Sequence, residues 1–544
     1  MPTLNWIGKE KVINHHQDVP YKILEPQYTF SNGKEDKNTT SENKIIHGDN
    51  LEALKSLLPE YEGKIKCIYI DPPYNTGNQE WRYNDNVNHP KIKKWLGEIV
   101  GKEGEDLSRH DKWLCMMYPR LKLLYKLLAE NGVIFISIDD YEYHNLIQIT
   151  NEIFGKKNKI STAIWDLGTG TQAGHFVRAH EYLLVYAKNK DLIPNFSGGE
   201  GIIKHSALKK ISVKNPESEF VFPKGTRFDA NDDFELTNSW GGSEKTTLIK
   251  GKMKVKNKKL IGEVTLSAGW AMKSQMESWF YVDSNNTYDT KGQKVKEFYF
   301  NKSGVLTYIK EKSVTNPPTV LKSIANTKTG SLELETIFKE KVFDFPKSSE
   351  LLGYILKLVT KGDDIILDSF AGSGTTAHAV LNLNKQDGGN RKFILVEMED
   401  YANTITAERV KRVINGYGED KKAVEGTGGD FTYYELGEPL FKADKMLNED
   451  VPLSKILEYV WYTETKDVFK EQEENFLLGK KHDTAYYFYY EKDSLTTLDE
   501  SYLRTLKTKA SQYIIYADLC LLDQKLMDKY HIVFKKIPRD ITRF

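Results

Sequence analysis

Cysteine is scarce in this chain: three residues in 544, at Cys67, Cys115 and Cys520. None shows the paired spacing of a disulfide framework or a zinc site, so a reducing, cytoplasmic setting and no metal are expected. Long apolar runs are also missing. The longest kind, such as Val133-Ile134-Phe135-Ile136, falls far short of the ~20 residues that span a bilayer. The opening MPTLNWIGKEKVINHH lacks the basic, apolar and small-residue order of a secretory leader, so no membrane is expected. An excess of one charge is absent as well, because 77 Lys and Arg balance 77 Asp and Glu. That excludes a uniformly basic surface but not a local one, since phosphates attract only the charges that line one groove. Between Gly201 and Phe345 there are 24 Lys and Arg against 17 Asp and Glu, which makes the middle of the chain its basic part.

With 39% hydrophobic and 28% charged residues, the chain has the composition of a globular protein of several domains. KIIHGDN (44–50) and IKCIYI (65–70) read as short buried strands flanking a helix, LEALKSLLPEY. Apolar residues at helical spacing from Trp113 to Glu130 predict another helix, and VIFISID and HEYLLVYAKN read as strands. From about 191 to 344 the pattern turns to Gly, Lys, Asn, Ser and Thr with short apolar segments, which predicts an inserted, mostly β domain. Alternation then resumes with a helix at 350–360, strand DIILD, a helix from Thr375, strand KFILVE and a helix at 401–414. A tail after Tyr434, with helices near 452–463 and 499–510 and strands AYYFYYE and QYIIYAD, reads as a small α/β domain. The fold class is α/β, a doubly wound sheet.

Two segments carry chemistry. Asp71-Pro72-Pro73-Tyr74-Asn75-Thr76-Gly77 follows strand IKCIYI directly. Two prolines lack ladder donors and stop the strand, while their carbonyls stay available as acceptors. The carboxyl edge of an open α/β sheet is where ligands bind. A carboxylate and a carbonyl suit an amino group whose lone pair is delocalised into a ring: they accept its hydrogens and stabilise positive charge as it is alkylated. Tyr74 offers a face for stacking on an extruded base. An ordinary turn explains Asp71-Pro72 alone far better than it explains all seven residues. The second segment, Asp364 to Thr376, reads DIILDSFAGSGTT, a strand, a glycine turn and a helix start. Glu397 ends the next strand, where an acid usually meets ribose hydroxyls. No Lys follows Gly374, so a triphosphate-gripping loop is excluded, and the third glycine of a dinucleotide loop is missing. A nucleoside-like cofactor without phosphate fits, and an ATP-driven motor or nuclease does not.

DPPYNTG followed some three hundred residues later by DSFAGSGTT resembles the DNA amino-methyltransferases whose catalytic motif precedes the cofactor motif, the permuted-order or beta class. The resemblance implies a Rossmann-like, S-adenosylmethionine-dependent sheet with an inserted target-recognition domain. It implies catalytic roles for Asp71, Pro72, Pro73 and Tyr74. It also implies cofactor contacts by Asp49 (in HGDN), Phe345 and Lys347 (in FPK), Asp368, Phe370, Gly372, Gly374 and Glu397. His180-Glu181-Tyr182 resembles the motif that precedes the recognition domain. Asp, rather than Ser, at the head of the motif favours N6 of adenine. LNWIGKEKVINHH, the 83–121 stretch and FKKIPRDITRF are similar to the modification subunit of Type III restriction-modification systems. That family acts on double-stranded DNA, forms homodimers and partners an ATP-dependent restriction subunit. A stand-alone adenine methyltransferase and a non-catalytic DNA-recognition subunit are the alternatives. The implied layout is catalytic 1–190 and 345–435, target recognition 191–344, and a C-terminal domain 436–544.

Other features divide between packing and function. Lys245, Lys250, Lys252, Lys254, Lys256, Lys258 and Lys259 lie in a run without an acid, and on a hairpin the even-numbered ones would share a face along phosphates. Trp240, Trp270, Trp279 and Arg227 are candidates for packing or for wedging beside an extruded base, with packing favoured for at least two of the tryptophans. Trp81, Arg82 and Tyr83 are candidates for the pocket wall or a lid. Arg109, His110 and Asp111 read as a helix N-terminal network, and Tyr486–Tyr490 as a buried or edge strand or a partner surface.

Overall fold

The computed structural model describes residues 3–76, 94, 109–173, 175–198, 201–312, 316–322, 324–420, 423–442 and 444–541. They form two compact units, one of Met1–Pro194 with Thr319–Phe544 and one of Asn195–Pro318.

In the first unit, eleven strands make one sheet. In chain order these are β1 (Lys22–Ser31), β2 (Lys34–Asp36), β3 (Lys44–His47), β4 (Ile65–Ile70), β5 (Leu128–Ile138), β6 (Lys159–Ala173), β7 (Phe176–Ala187), β8 (Val320–Leu321), β9 (Ile365–Asp368), β10 (Lys392–Glu397) and β11 (Asp430–Pro439). Across the sheet they run β8-β6-β7-β5-β4-β9-β10-β3-β11-β1-β2. From β5 to β11 every neighbour is parallel. On one side β7 enters antiparallel beside β5, and on the other β1 runs antiparallel to β11. The central strands read as unbroken apolar runs because helices cover both faces. Ile68, Ile70, Leu367, Ile394 and Val396 are fully buried, each worth ~1.5–3 kcal/mol over exposure. The covering helices include α1 (Asn50–Tyr61), α2 (Arg109–Leu127), α3 (Thr327–Phe338), α4 (Ser349–Val359) and α5 (Thr375–Asp387).

Strand order reverses between β4 and β9. The chain passes from β4 through α2 to β5 on one side, and from β9 through α5 to β10 on the other. The two strands pair in parallel, Cys67 opposite Ile366 and Ile68 opposite Leu367, so both carboxyl ends open into one crevice. Two motifs far apart in the chain thus become neighbours.

The second unit is β-rich and antiparallel. One sheet joins Val295–Phe300, Leu306–Lys312 and Gly201–Ser206, and another joins Ser239–Trp240, Thr246–Gly251, Val264–Ala268 and Ser218–Phe222. Phe220, Phe222, Phe228, Trp270, Phe298 and Phe300 form its aromatic core. Along 252–256, Met253 and Val255 are buried while Lys252, Lys254 and Lys256 alternate outward. Trp270 is buried with its indole on Ser218 O, Trp240 donates to Gly304 O, and Arg227 is held by Asp229 and Glu297.

Three boundaries differ from the sequence reading, the first being the start of the inserted unit at Asn195 rather than 191. The inserted unit closes at Pro318 rather than 344, because Val320–Leu321 pairs with β6 and α3 buries Leu334 and Ile337. Residues 436–544 cluster with the first unit, since Leu440, Tyr459 and Val460 share a core with Tyr21 and Ile23. Within that tail, Thr484–Phe488 is an inner strand between Leu477–Lys481 and Gln512–Ala517, not an edge. The helix expected at 499–510 stops at Leu503, where the Lys507 N–H turns instead to the Glu474 carboxylate at 2.7 Å. Among the described residues no helix is long and apolar enough to cross a membrane.

Candidate active site

Asp71 leaves the carboxyl end of β4, and the prolines turn the chain sideways. Pro72 lines a cavity of about 300 Å³. The Pro73 carbonyl, expected to be available to a ligand, accepts the indole N–H of the fully buried Trp113 at 2.7 Å instead. Pro73 therefore anchors the loop to α2, and Pro72 is the prolyl residue at the cavity. Asn75 holds a left-handed backbone (φ 59°). Its amide donates to Glu142 Oε1 at 2.5 Å and to Arg109 O at 3.1 Å. His110 lies 2.7 Å from the same Glu142 oxygen, so the Arg109–His110 segment is a helix N-terminal network that pins the loop. Gly77 and Trp81–Tyr83 lie outside the described residues.

Four polar groups meet in the cavity. Lys347 Nζ stands 2.9 Å from Asp71 Oδ2, 3.3 Å from Glu181 Oε2 and 3.0 Å from the Tyr74 hydroxyl. That hydroxyl lies 2.8 Å from Asp71 Oδ1 and 3.0 Å from Glu181 Oε2. It has one proton to donate, so the two carboxylates compete for it. Burial works against the lysine charge, but the Asp71 and Glu181 carboxylates outweigh it and raise the Lys347 pKa. Burial, reinforced by both carboxylates, raises that of Tyr74. Lys347 is thus an ammonium and Tyr74 a neutral phenol. The resemblance implies a cofactor contact for Lys347; here its ammonium is on the Asp71 carboxylate.

Opposite stands the glycine loop. Asp368 ends β9 and accepts from Phe370 N (3.0 Å) and the Thr376 hydroxyl (2.5 Å); burial pushes its pKa up to about 7. Phe370 and Gly372 line the cavity together with Phe343 and Phe345. Gly372 has φ 52°, and a Cβ there would sit 3.4 Å from the Phe343 ring, inside the cradle. Gly374 does not line the cavity: it has φ 81°, and its Cβ would press to 2.9 Å from Thr406 O. Its need for glycine comes from packing under the start of α5 rather than from ligand approach. Glu397 is buried beneath the loop, accepting Gly372 N at 2.7 Å and Glu399 N at 3.0 Å, and burial pushes its pKa up to about 8. Asp49 caps α1 through Leu51 N at 2.8 Å and pairs with Arg120 at 3.3 Å. Neither acid lines the cavity, and both stand at the carboxyl ends of the next strands, β10 and β3. Phe345 is 61% exposed in a left-handed backbone at φ 51°.

The residues at 65–408 match the pattern that defines DNA methylases. The chain belongs to that family. The methylase is 33% identical over 429 residues to the EcoPI Mod subunit, a type III restriction-modification enzyme of Escherichia phage P1, across 74% of this chain and 64% of that protein. With the StyLTI Mod subunit of Salmonella typhimurium it shares 31% over 474 residues, 80% of this chain and 66% of the other. The type II methyltransferase M.KpnI of Klebsiella pneumoniae is 31% identical over 369 residues, 65% of the methylase and 80% of the relative. The methylase thus spans just under two thirds of the length of these two Mod subunits.

Two participants escape a reading of single motifs. Glu181 is visible in the sequence only as part of His180-Glu181-Tyr182; its position in a strand that runs to the same edge is the available signal. Arg409, fully buried, donates to Ser373 Oγ (2.9 Å), Thr375 Oγ1 (2.7 Å) and Glu333 Oε2 (2.8 Å), bracing the glycine loop. No local pattern marks it.

Proposed function

We propose that this methylase is a site-specific DNA methyltransferase that moves a methyl group from S-adenosylmethionine to N6 of an extruded adenine, as the modification subunit of a Type III restriction-modification system. The observation that carries the reading is the pairing at the switch point: Asp71 and Pro72, just past β4, line one cavity together with Phe370 and Gly372 of the glycine loop after β9. The bare Gly372 cradle, the aromatic walls and the acids ending β10 and β3 fit a nucleoside-bearing sulfonium. When bound, S-adenosylmethionine supplies an electrophilic methyl. Asp71 and the Pro72 carbonyl accept the two amino hydrogens and stabilise the charge that grows on nitrogen. Tyr74 stacks on the base, and the rings of Phe343, Phe370 and Trp165, which line the cavity, exclude water. The unit 195–318, with its outward lysines, serves as the target-recognition domain; double-stranded DNA is the substrate, and a homodimer and an ATP-dependent restriction subunit are the partners.

The test is transfer of labelled methyl groups to DNA by the purified chain, with the modified base identified by digestion. N6-methyladenine is expected from the wild type and none from Asp71→Ala, which keeps its cofactor affinity. Label appearing only in cytosine, or normal turnover by Asp71→Ala, refutes the reading. The likeness to M.KpnI favours a second arrangement, a methyltransferase that needs no restriction partner. Restriction of unmodified DNA on adding the candidate partner subunit separates the two.

A further inference from the structure

The cluster around Asp71 poses a problem for the chemistry just proposed, on which this inference rests. Asp71 activates an amino group through its negative charge, yet an ammonium stands 2.9 Å from one of its oxygens and a phenol 2.8 Å from the other. Both donors drain the charge that the amine needs. A target amino group reaching Asp71 must share or take their places.

Both donors already touch a second acceptor. The same oxygen, Glu181 Oε2, lies 3.3 Å from Lys347 Nζ and 3.0 Å from the Tyr74 hydroxyl. Glu181 stands on β7, in register with Trp165 of β6, so it is held by a ladder whereas Asp71 heads a turn. Its side chain is 12% exposed and that of Lys347 11%, so water offers the lysine little alternative. We propose that Glu181 is a positioning residue for methyl transfer: it is the acceptor onto which Lys347 and the Tyr74 hydroxyl lean when an amino group arrives at Asp71. The shift asked of each donor is a few tenths of an ångström, because each is already within hydrogen-bond range of Glu181 or close to it. Lys347 acts as a latch that keeps Asp71 neutralised until the base is seated, and Glu181 is the keeper that lets the latch open.

Glu181→Gln removes the competing charge while leaving an amide oxygen for the tyrosine. Lys347 then stays on Asp71, and kcat falls roughly 10–100-fold, the worth of one charge-assisted hydrogen bond, with KM for DNA little changed. The deciding variant is Glu181→Gln combined with Lys347→Met. If Glu181 acts through the lysine, removing the stranded latch raises kcat about tenfold above Glu181→Gln alone, a rescue that a purely structural role does not produce. A Glu181→Gln enzyme within about twofold of wild-type kcat, or a double variant no faster than the single one, overturns the inference. Wild-type enzyme is assayed alongside on adenine-unmethylated DNA. Its failure to methylate adenine overturns the function reading, and this inference with it. With an active wild type, a loss or survival of turnover in the variants bears on Glu181 alone.

Discussion

Arg409 offers the sharpest check on how the glycine loop is held. Its guanidinium is fully buried and ties Ser373, Thr375 and Glu333 together. Arg409→Met keeps most of the volume and removes the charge. Taking one partner from a buried ion pair costs about 3–5 kcal/mol, chiefly because the other charge is stranded. Three features set the value here near the lower end. Glu333 keeps the Ser349 backbone N–H at 3.2 Å and the Ser349 hydroxyl beside it. Its side chain is 17% exposed, so water reaches it. Arg409 Nε has no partner among the described residues, so its removal returns part of a burial penalty. The expected loss is therefore about 3 kcal/mol. Urea unfolding measures it through the shift in midpoint at constant slope. Adding Glu333→Gln removes the stranded charge but not the acceptor, and should restore about 1–2 kcal/mol. Calorimetry should show weaker cofactor binding in Arg409→Met, since two loop hydroxyls lose their donor. An unchanged midpoint, or a double variant less stable than the single one, refutes this account of the brace.

Two other expectations concern charge. Reversing Lys252, Lys254 and Lys256 to Glu together should weaken DNA binding at low salt and flatten its salt dependence, since each phosphate contact contributes ~0.9 to the slope; binding titrations at several salt concentrations check this, with cofactor affinity unmoved. Glu397 has its pKa raised from 4.5 to about 8. Its contribution is fully present below the unfolded value and is lost as pH rises through that window to the folded one, because the native state there binds more protons than the unfolded chain. Glu397→Gln should therefore flatten the fall in stability between pH 4.5 and about 8, read as urea midpoints across pH.

What is legible in the sequence is whatever repeats a local rule. Strands 65–70 and 392–397 appear where unbroken apolar runs stop at turn residues, and α5 begins at Thr375 just past its glycines. Asp71, Pro72, Phe370 and Gly372 are readable because a strand end plus a rigid or bare backbone is itself a local pattern. The ion cluster is not, since Asp71, Glu181 and Lys347 come from three stretches whose meeting depends on sheet order. The fate of the Pro73 carbonyl is hidden for the same reason: a prolyl oxygen is available only until a distant indole claims it. The boundary at Pro318 escapes because composition stays polar through Lys341, while the change that matters is that Val320 pairs with β6.

The chain departs for its inserted unit after β7 and comes back as β8, whose partner β6 lies next to β7. Exit and re-entry therefore share one margin of the sheet, with β5 and β4 between them and the glycine-loop strand. A graft at that margin, of any length or sequence, leaves the ladders beneath Asp71 and Asp368 uncut. On the proposed reading, in which that unit chooses the target, such a layout lets the choice drift across generations while the bond-making apparatus stands still.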